Sequence, residues 1–282
     1  MIIIRNQYPK KKVPPCYFRI ASSLSSSRQR TGATQRRKRR FEFPQYAILY
    51  TQYTILRSPF SVIRFLMNIL HYGLTCFKIT TRPGGRSTEE LTVFIDPIAQ
   101  EEGMRDVYGR ADLVLLTSQE SEPNLSSLKG DPFVINLPGE YSHKGINVLG
   151  FDGGEVDGKF LGKKTAYLIE TEDMRVAHLG TAGSISEEAQ SAMNGCDILM
   201  IPVGGNGAFS ASSAAAIVRA IEPRVTIPMY YHIPSAKAKL EGPEAFYGEM
   251  AVKDKEVLPK FSTKSKDIEK RSRDIVELTP QR

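Results

Sequence analysis

Thr165-Ala166-Tyr167-Leu168-Ile169-Glu170-Thr171-Glu172-Asp173-Met174-Arg175-Val176-Ala177-His178-Leu179-Gly180 reads as two apolar strands joined by a short acidic turn. Tyr167–Glu170 and Met174–His178 carry the strand pattern, and the polar Glu172-Asp173 break between them is a hairpin signal. Outward from this hairpin, similar short runs recur. Upstream, Cys76-Phe77-Lys78-Ile79-Thr80 and Leu91-Thr92-Val93-Phe94-Ile95 read as strands on either side of the Pro83-Gly84-Gly85 turn signal. Asp112–Thr117 and Phe133–Leu137 read as buried strands, as do Ile198–Val203 and Val225–Tyr230 downstream, and Asp274–Leu278 closes the series. Two helices interleave late. Ser184-Ile185-Ser186-Glu187 has the Ser-x-x-Glu capping-box spacing and leads to a stop at Asn194-Gly195. Ser210–Ile221 is Ala-rich and ends before Pro223. Many strands with a few late helices predict a layered α/β sandwich.

The 282 residues are 41% hydrophobic and 24% charged, which suits a folded domain and excludes a wholly disordered chain. No apolar run reaches the roughly eighteen residues of a membrane-spanning helix. Cys16, Cys76 and Cys196 are too few for a disulfide framework, so a reducing compartment, the cytoplasm, is expected. Cys76 and Cys196 read as small buried apolar residues beside strands.

Charge divides the chain. Residues 1–66 hold 14 Lys and Arg against the single acid Glu42, whereas the rest hold 24 against 30 acids. The first segment is Ser-rich, Ser22-Ser23-Leu24-Ser25-Ser26-Ser27, then basic, Arg36-Arg37-Lys38-Arg39-Arg40. Three readings stand: a disordered extension or mis-assigned start upstream of Met67, an organelle transit peptide, and an arm binding nucleic acid with steep salt dependence. The expected division is therefore an extension over 1–66 and a folded domain over 67–282. The charge suggests nucleic acid or another acidic surface as a partner.

Motifs after residue 66 carry a resemblance. They are Met67-Asn68-Ile69-Leu70-His71-Tyr72-Gly73-Leu74-Thr75-Cys76-Phe77, Asp96-Pro97, Pro138-Gly139-Glu140-Tyr141, Lys144-Gly145, Thr165–Glu170, His178-Leu179-Gly180, Ile201-Pro202-Val203-Gly204-Gly205 and Ile227-Pro228-Met229. Taken in this order, residues 67–282 resemble the metallo-β-lactamase superfamily, nearest its small bacterial metal-dependent, lactonase-like hydrolases. The resemblance implies a four-layer αββα sandwich with the active site at one edge, between the sheets. It also implies two metal ions, usually zinc, whose bridging hydroxide attacks a carbonyl or phosphoryl centre.

The family's metal ligands, carried over position by position, are absent. The first motif, His-x-His-x-Asp-His, falls on Ser118-Gln119-Glu120-Ser121-Glu122-Pro123: its histidines on Ser118, Glu120 and Pro123, its aspartate on Glu122. The following Asn124 keeps the register. The next family histidine belongs after Gly150, yet no histidine lies between His143 and His178. The bridging aspartate falls on Thr181 and the last histidine on Tyr230. The implied reading is a pseudoenzyme with a degenerate metal site and no catalytic residue, holding no zinc and retained for binding or structure. The alternative is a divergent lactone, ester or phosphoester hydrolase with one Mn²⁺ or Mg²⁺ on Glu120, Glu122 and His232. In extended chain, Glu120 and Glu122 would share a side, and His232 would share the face of Tyr230. His71 reads as a strand residue, His143 as an exposed turn residue and His178 as a hydrogen-bonded core residue. Gly204-Gly205-Asn206-Gly207 reads as a turn, because it lacks the Gly-Lys-Ser/Thr ending of a phosphate loop.

Overall fold

The structure is a computed structural model and describes residues 66–84, 89–97, 106–119, 125–153, 155–156, 159–160, 164–253 and 255–281. The basic extension apart from Leu66, and Glu120, Glu122, Pro123 and Asn124, lie outside the described residues.

In chain order the strands are β1 (Met67–Gly73), β2 (Cys76–Thr81), β3 (Leu91–Ile95), β4 (Gly109–Arg110), β5 (Leu113–Leu115), β6 (Leu128–Lys129), β7 (Phe133–Ile135), β8 (Gly139–His143) and β9 (Ile146–Asp152). They continue with β10 (Glu155–Val156), β11 (Lys159–Phe160), β12 (Thr165–Thr171), β13 (Met174–His178), β14 (Ile198–Pro202), β15 (Val225–Met229), β16 (Glu256–Leu258), β17 (Phe261–Thr263) and β18 (Asp274–Leu278). The helices are α1 (Glu187–Met193), α2 (Ala211–Ile221), α3 (Glu244–Glu249) and α4 (Ser265–Ile268). One sheet runs β17-β1-β2-β3-β5-β7 and a second runs β16-β18-β15-β14-β13-β12-β9-β8. β4 with β6, and β10 with β11, form small pairs.

The period of two along each strand sorts the apolar residues. Ile69, Phe77, Ile79, Val93, Ile95, Leu113 and Leu115 of the first sheet join Val148, Tyr167, Ile169, Val176, Ile198, Met200 and Ile227 of the second in one buried cluster. The intervening residues of the second sheet, Ala166, Leu168, Ala177, Leu199 and Ile201, join a different cluster with Met193 of α1, Ala214 and Val218 of α2 and Phe246 of α3. A strand covered on both faces must be apolar throughout, and β14 and β15 are buried at every position. On the other side of the first sheet, Cys76, Phe94 and Val114 pack with Val107, Ala111 and Leu116. The expected α/β sandwich is therefore present, with α1, α2 and α3 on the eight-stranded sheet. No helix among the described residues is long and apolar enough to cross a membrane.

Local signals place the helix ends. α2 begins after the N-cap Ser210, whose hydroxyl accepts from the Ser213 N–H, and ends at Glu222 in the left-handed region before Pro223. α1 starts later than the capping-box spacing predicts: Ser186, not Ser184, is the N-cap, its Oγ accepting from the Ala189 N–H at 3.1 Å. Glu187 and Glu188 then occupy the first turn, where acids meet the positive helix end. The hairpin β12–β13 pairs Thr171 with Met174, and Glu172 and Asp173 both take positive φ, the conformation that a two-residue turn between twisted strands requires.

Polar ties join the sheets at both ends of β12. At the turn end, the Glu172 carboxylate accepts from the Thr81 hydroxyl at 2.7 Å and the Arg82 N–H at 2.5 Å. At the other end, the buried Tyr167 hydroxyl lies 2.9 Å from the Leu116 carbonyl and 3.3 Å from that of Ile135. Tyr167→Phe keeps the ring and removes this donor, leaving a buried carbonyl short of a partner. The expected cost is about 1–3 kcal/mol, read as a lower urea midpoint with an unchanged slope.

Candidate functional site

Parallel pairing of β13 with β14 and of β14 with β15 sets their C-terminal ends side by side. The loops that leave them interlock: the Phe209 N–H donates to the Ala182 carbonyl, the Gly204 N–H to that of Tyr230, and the Tyr230 N–H to that of Leu74. Gly204 is confined to glycine by this closeness, since a Cβ there would lie 2.5 Å from the Tyr230 oxygen. The β1–β2 turn and the chain after β5 pack against the same loops. Thr117 bonds Asp96 twice, its N–H to Oδ1 at 2.7 Å and its hydroxyl to Oδ2 at 2.5 Å. Asp96 keeps part of its surface exposed, but its carboxyl is enclosed: burial pushes its pKa up, against the lowering by the Thr117 and Thr75 bonds. Gly180, at φ +57, packs so closely that a Cβ would lie 2.4 Å from that of Thr117.

Two of the four histidines are struts in this frame. His178 is fully buried in β13; its Nδ1 accepts from the Gly180 N–H at 3.1 Å, so the proton sits on Nε2, which donates to the Thr75 carbonyl at 3.1 Å. His71, also fully buried, places Nε2 at 3.1 Å from the Leu74 carbonyl and Nδ1 at 3.2 Å from that of Leu278. Its ring stacks on Phe77 at 4.6 Å, and Phe77 meets His178 edge-on at 5.5 Å. Burial pushes the His178 imidazole down to about 3 and holds that of His71 below its ordinary value, against the raising effect of its two carbonyl contacts. All four ring nitrogens face backbone groups, as the core reading of His178 anticipates. His143 ends strand β8 rather than lying in a turn, and it is partly buried by stacking on Phe133 at 5.2 Å.

The family ligand positions that the structure describes fall as follows. Ser118 pairs with Lys164 in an isolated antiparallel bridge. The carbonyl of Thr181 accepts from Lys164 Nζ at 3.0 Å. Tyr230 is partly buried at φ +50, just past the end of β15. His232 is exposed, its N–H bonded to the Glu241 carbonyl. The two-residue alternation invoked for His232 does not apply, because the extended chain stops at Met229 and Tyr230 is left-handed. The structure thus brings Ser118 and Thr181 together through Lys164 and leaves His232 on the surface. Sequence reasoning had no hold on Lys164, since a lone loop lysine reads as solvated surface.

A zinc pair needs imidazole, thiolate or carboxylate donors. Ser118, Thr181 and Tyr230 offer hydroxyls, which must first lose a high-pKa proton. Among the described residues, no group of three or more His, Cys, Asp or Glu is placed to share a metal ion.

Comparison with known proteins adds the following. A family model described as a beta-lactamase superfamily domain matches residues 68–230. A UPF0173 protein of Pyrococcus abyssi is 29% identical over 189 residues, 58% of this chain and 83% of that protein. A UPF0173 metal-dependent hydrolase of Thermoplasma acidophilum is 29% identical over 102 residues, 35% of this chain but only 45% of the relative's length. A Thermotoga maritima structure, described as a Zn-dependent hydrolase of the metallo-beta-lactamase superfamily, aligns over 76% of this chain and 100% of its own. Its TM-score of 0.60 at 23% identity carries the fold.

The buried His178 makes stability depend on pH. An unfolded imidazole titrates near 6.5, whereas His178 titrates at about 3 in the folded chain. The unfolded state therefore takes up the proton first. The contribution of neutral His178 is complete above pH 6.5 and is lost as pH falls toward 3, at up to about 1.4 kcal/mol per unit. Urea unfolding near pH 7.5 and pH 5 is expected to show a lower midpoint in acid. His178→Gln, which can still donate to Thr75, is expected to flatten that dependence.

Proposed function

The chain belongs to the beta-lactamase superfamily, and on that premise we propose that it is a metallo-β-lactamase-fold protein kept for binding or structure rather than for hydrolysis. Its Thermoplasma relative is named a metal-dependent hydrolase. The observation that carries the proposal is the donor set. Ser118, Glu120, Pro123 and Tyr230 stand at four expected imidazole positions, the segment after Gly150 lacks the fifth, and Thr181 stands at the bridging carboxylate. A dinuclear hydrolase takes both its nucleophile and its electrophile from the metals. Losing the imidazoles together removes both, whereas losing one ligand would only weaken metal affinity.

The geometry adds support. His71 and His178 are committed to backbone partners. A rebuilt site on Glu120, Glu122 and His232 would need His232 to turn inward from an exposed position. A cytoplasmic location, the domain division at residue 67 and nucleic-acid binding by residues 1–66 belong to the same proposal and rest on composition.

Purified protein is expected to carry well under one zinc, manganese or iron per chain by elemental analysis. Glu120→Ala is expected to leave esterase, lactonase and phosphodiesterase rates at the background level of the parent. About two metals per chain, or turnover that Glu120→Ala abolishes, would reverse the proposal.

A further inference from the structure

β7 is the last strand of the first sheet, and among the described residues no strand pairs beyond it. Phe133, Val134 and the nearby Leu137 keep 43%, 38% and 48% of their surface exposed, so large apolar side chains collect at this one edge. The main chain there alternates. The Phe133 N–H donates to the Asp112 carbonyl at 3.0 Å, and the Ile135 carbonyl accepts from the Leu116 N–H at 2.8 Å, so both residues turn their main-chain groups toward β5. Val134, between them, turns its N–H and C=O outward. Pro132 has no N–H to offer, and the Asn136 carbonyl accepts from Gln119 Nε2 at 3.3 Å.

We infer that a second copy of this chain pairs here, antiparallel to β7 about a two-fold axis at Val134. An unpaired strand edge is a template for another extended chain, and this one is complementary to itself. Centred on Val134, the pairing sets the two Val134 residues opposite each other, exchanging both main-chain bonds. Pro132 then faces Asn136 of the second copy, so the residue without an N–H meets the carbonyl that Gln119 already satisfies. A strand of unrelated sequence would gain the Val134 bonds but strand an acceptor opposite Pro132. Phe133 faces Ile135 of the second copy. By the two-residue alternation these lie on the core face, where Ile135 is 2% exposed and the Phe133 ring stacks on His143 at 5.2 Å. The pairing therefore carries the buried cluster across the axis as an aromatic–β-branched pair. Asp131 faces Leu137, so no charge meets its like. An isologous contact uses the same edge in both copies and closes at two. None of this depends on whether the chain holds metal.

The test uses the full chain. Sedimentation velocity on a dilution series from about 200 to about 2 µM is expected to show dimer giving way to monomer, as befits a small contact. Val134→Lys puts two like charges on the axis and is expected to weaken the dimer at least about tenfold, with the urea midpoint unchanged. Val134→Cys, in a Cys16→Ser background, is expected to form a disulfide-linked dimer under mild oxidation, because Cα atoms opposed in a hydrogen-bonded antiparallel pair lie about 5.5 Å apart. Leu137→Cys, which faces Asp131, is expected to stay unlinked. The two cysteine variants stand alone should Val134→Lys fail to fold. A dimer that Val134→Lys leaves intact, or one that links through Leu137→Cys and not Val134→Cys, overturns the inference. So does a chain still monomeric at about 200 µM, which leaves the edge to a strand of another protein.

Discussion

The junction of the two sheets at the ends of β13, β14 and β15 depends on the His178 imidazole. The ring lies in a strand of the eight-stranded sheet, accepts from Gly180 two residues on, and donates to Thr75 in the β1–β2 turn of the other sheet. One neutral side chain thereby ties the β13 loop to the β1–β2 turn of the other sheet. The arrangement works only while the ring is uncharged, because burial penalises the imidazolium. Thr117 closes against Gly180 from the far side, and Asp96 holds Thr117 by two bonds. Positions of Ser118, Thr181 and Tyr230 follow from this frame.

The same frame shows which groups hold the loops at the sheet ends. The groups that hold the loops are backbone amides and carbonyls, with His71, His178, Asp96, Thr117 and Tyr167 as polar struts. None of these lies at a family ligand position. Fold and chemistry are thus carried by separate residues, and similarity of one to metal-dependent hydrolases does not transfer the other.

Most of the architecture was legible from period and turn chemistry. The hairpin around Glu172-Asp173, the buried runs Ile198–Val203 and Val225–Tyr230, and the helix Ser210–Ile221 all appear within a residue or two of their expected bounds. The failures have local causes. Ser184 and Ser186 both precede the helical segment, and only the backbone conformation and side-chain bond at Ser186 settle which one caps. His143 looked like turn because Lys144-Gly145 follows it, but it pairs with Ile146 across the β8–β9 turn. His232 was assigned a face by assuming extended chain past Met229, and the left-handed Tyr230 breaks that assumption.

By itself the sequence determined the sandwich, through alternating burial that a long chain satisfies by stacking its strands, and it raised the expectation, carried over motif by motif, that the family's imidazoles are replaced here. Tertiary structure alone decided what the remaining groups do. That His71 and His178 are spent on backbone groups, that His232 faces solvent, and that Lys164 reaches Thr181 are facts about atoms brought together from distant parts of the chain. Hydrogen bonds act over about 3 Å, and the spacing of letters in a chain says nothing about distances of that size between separate strands.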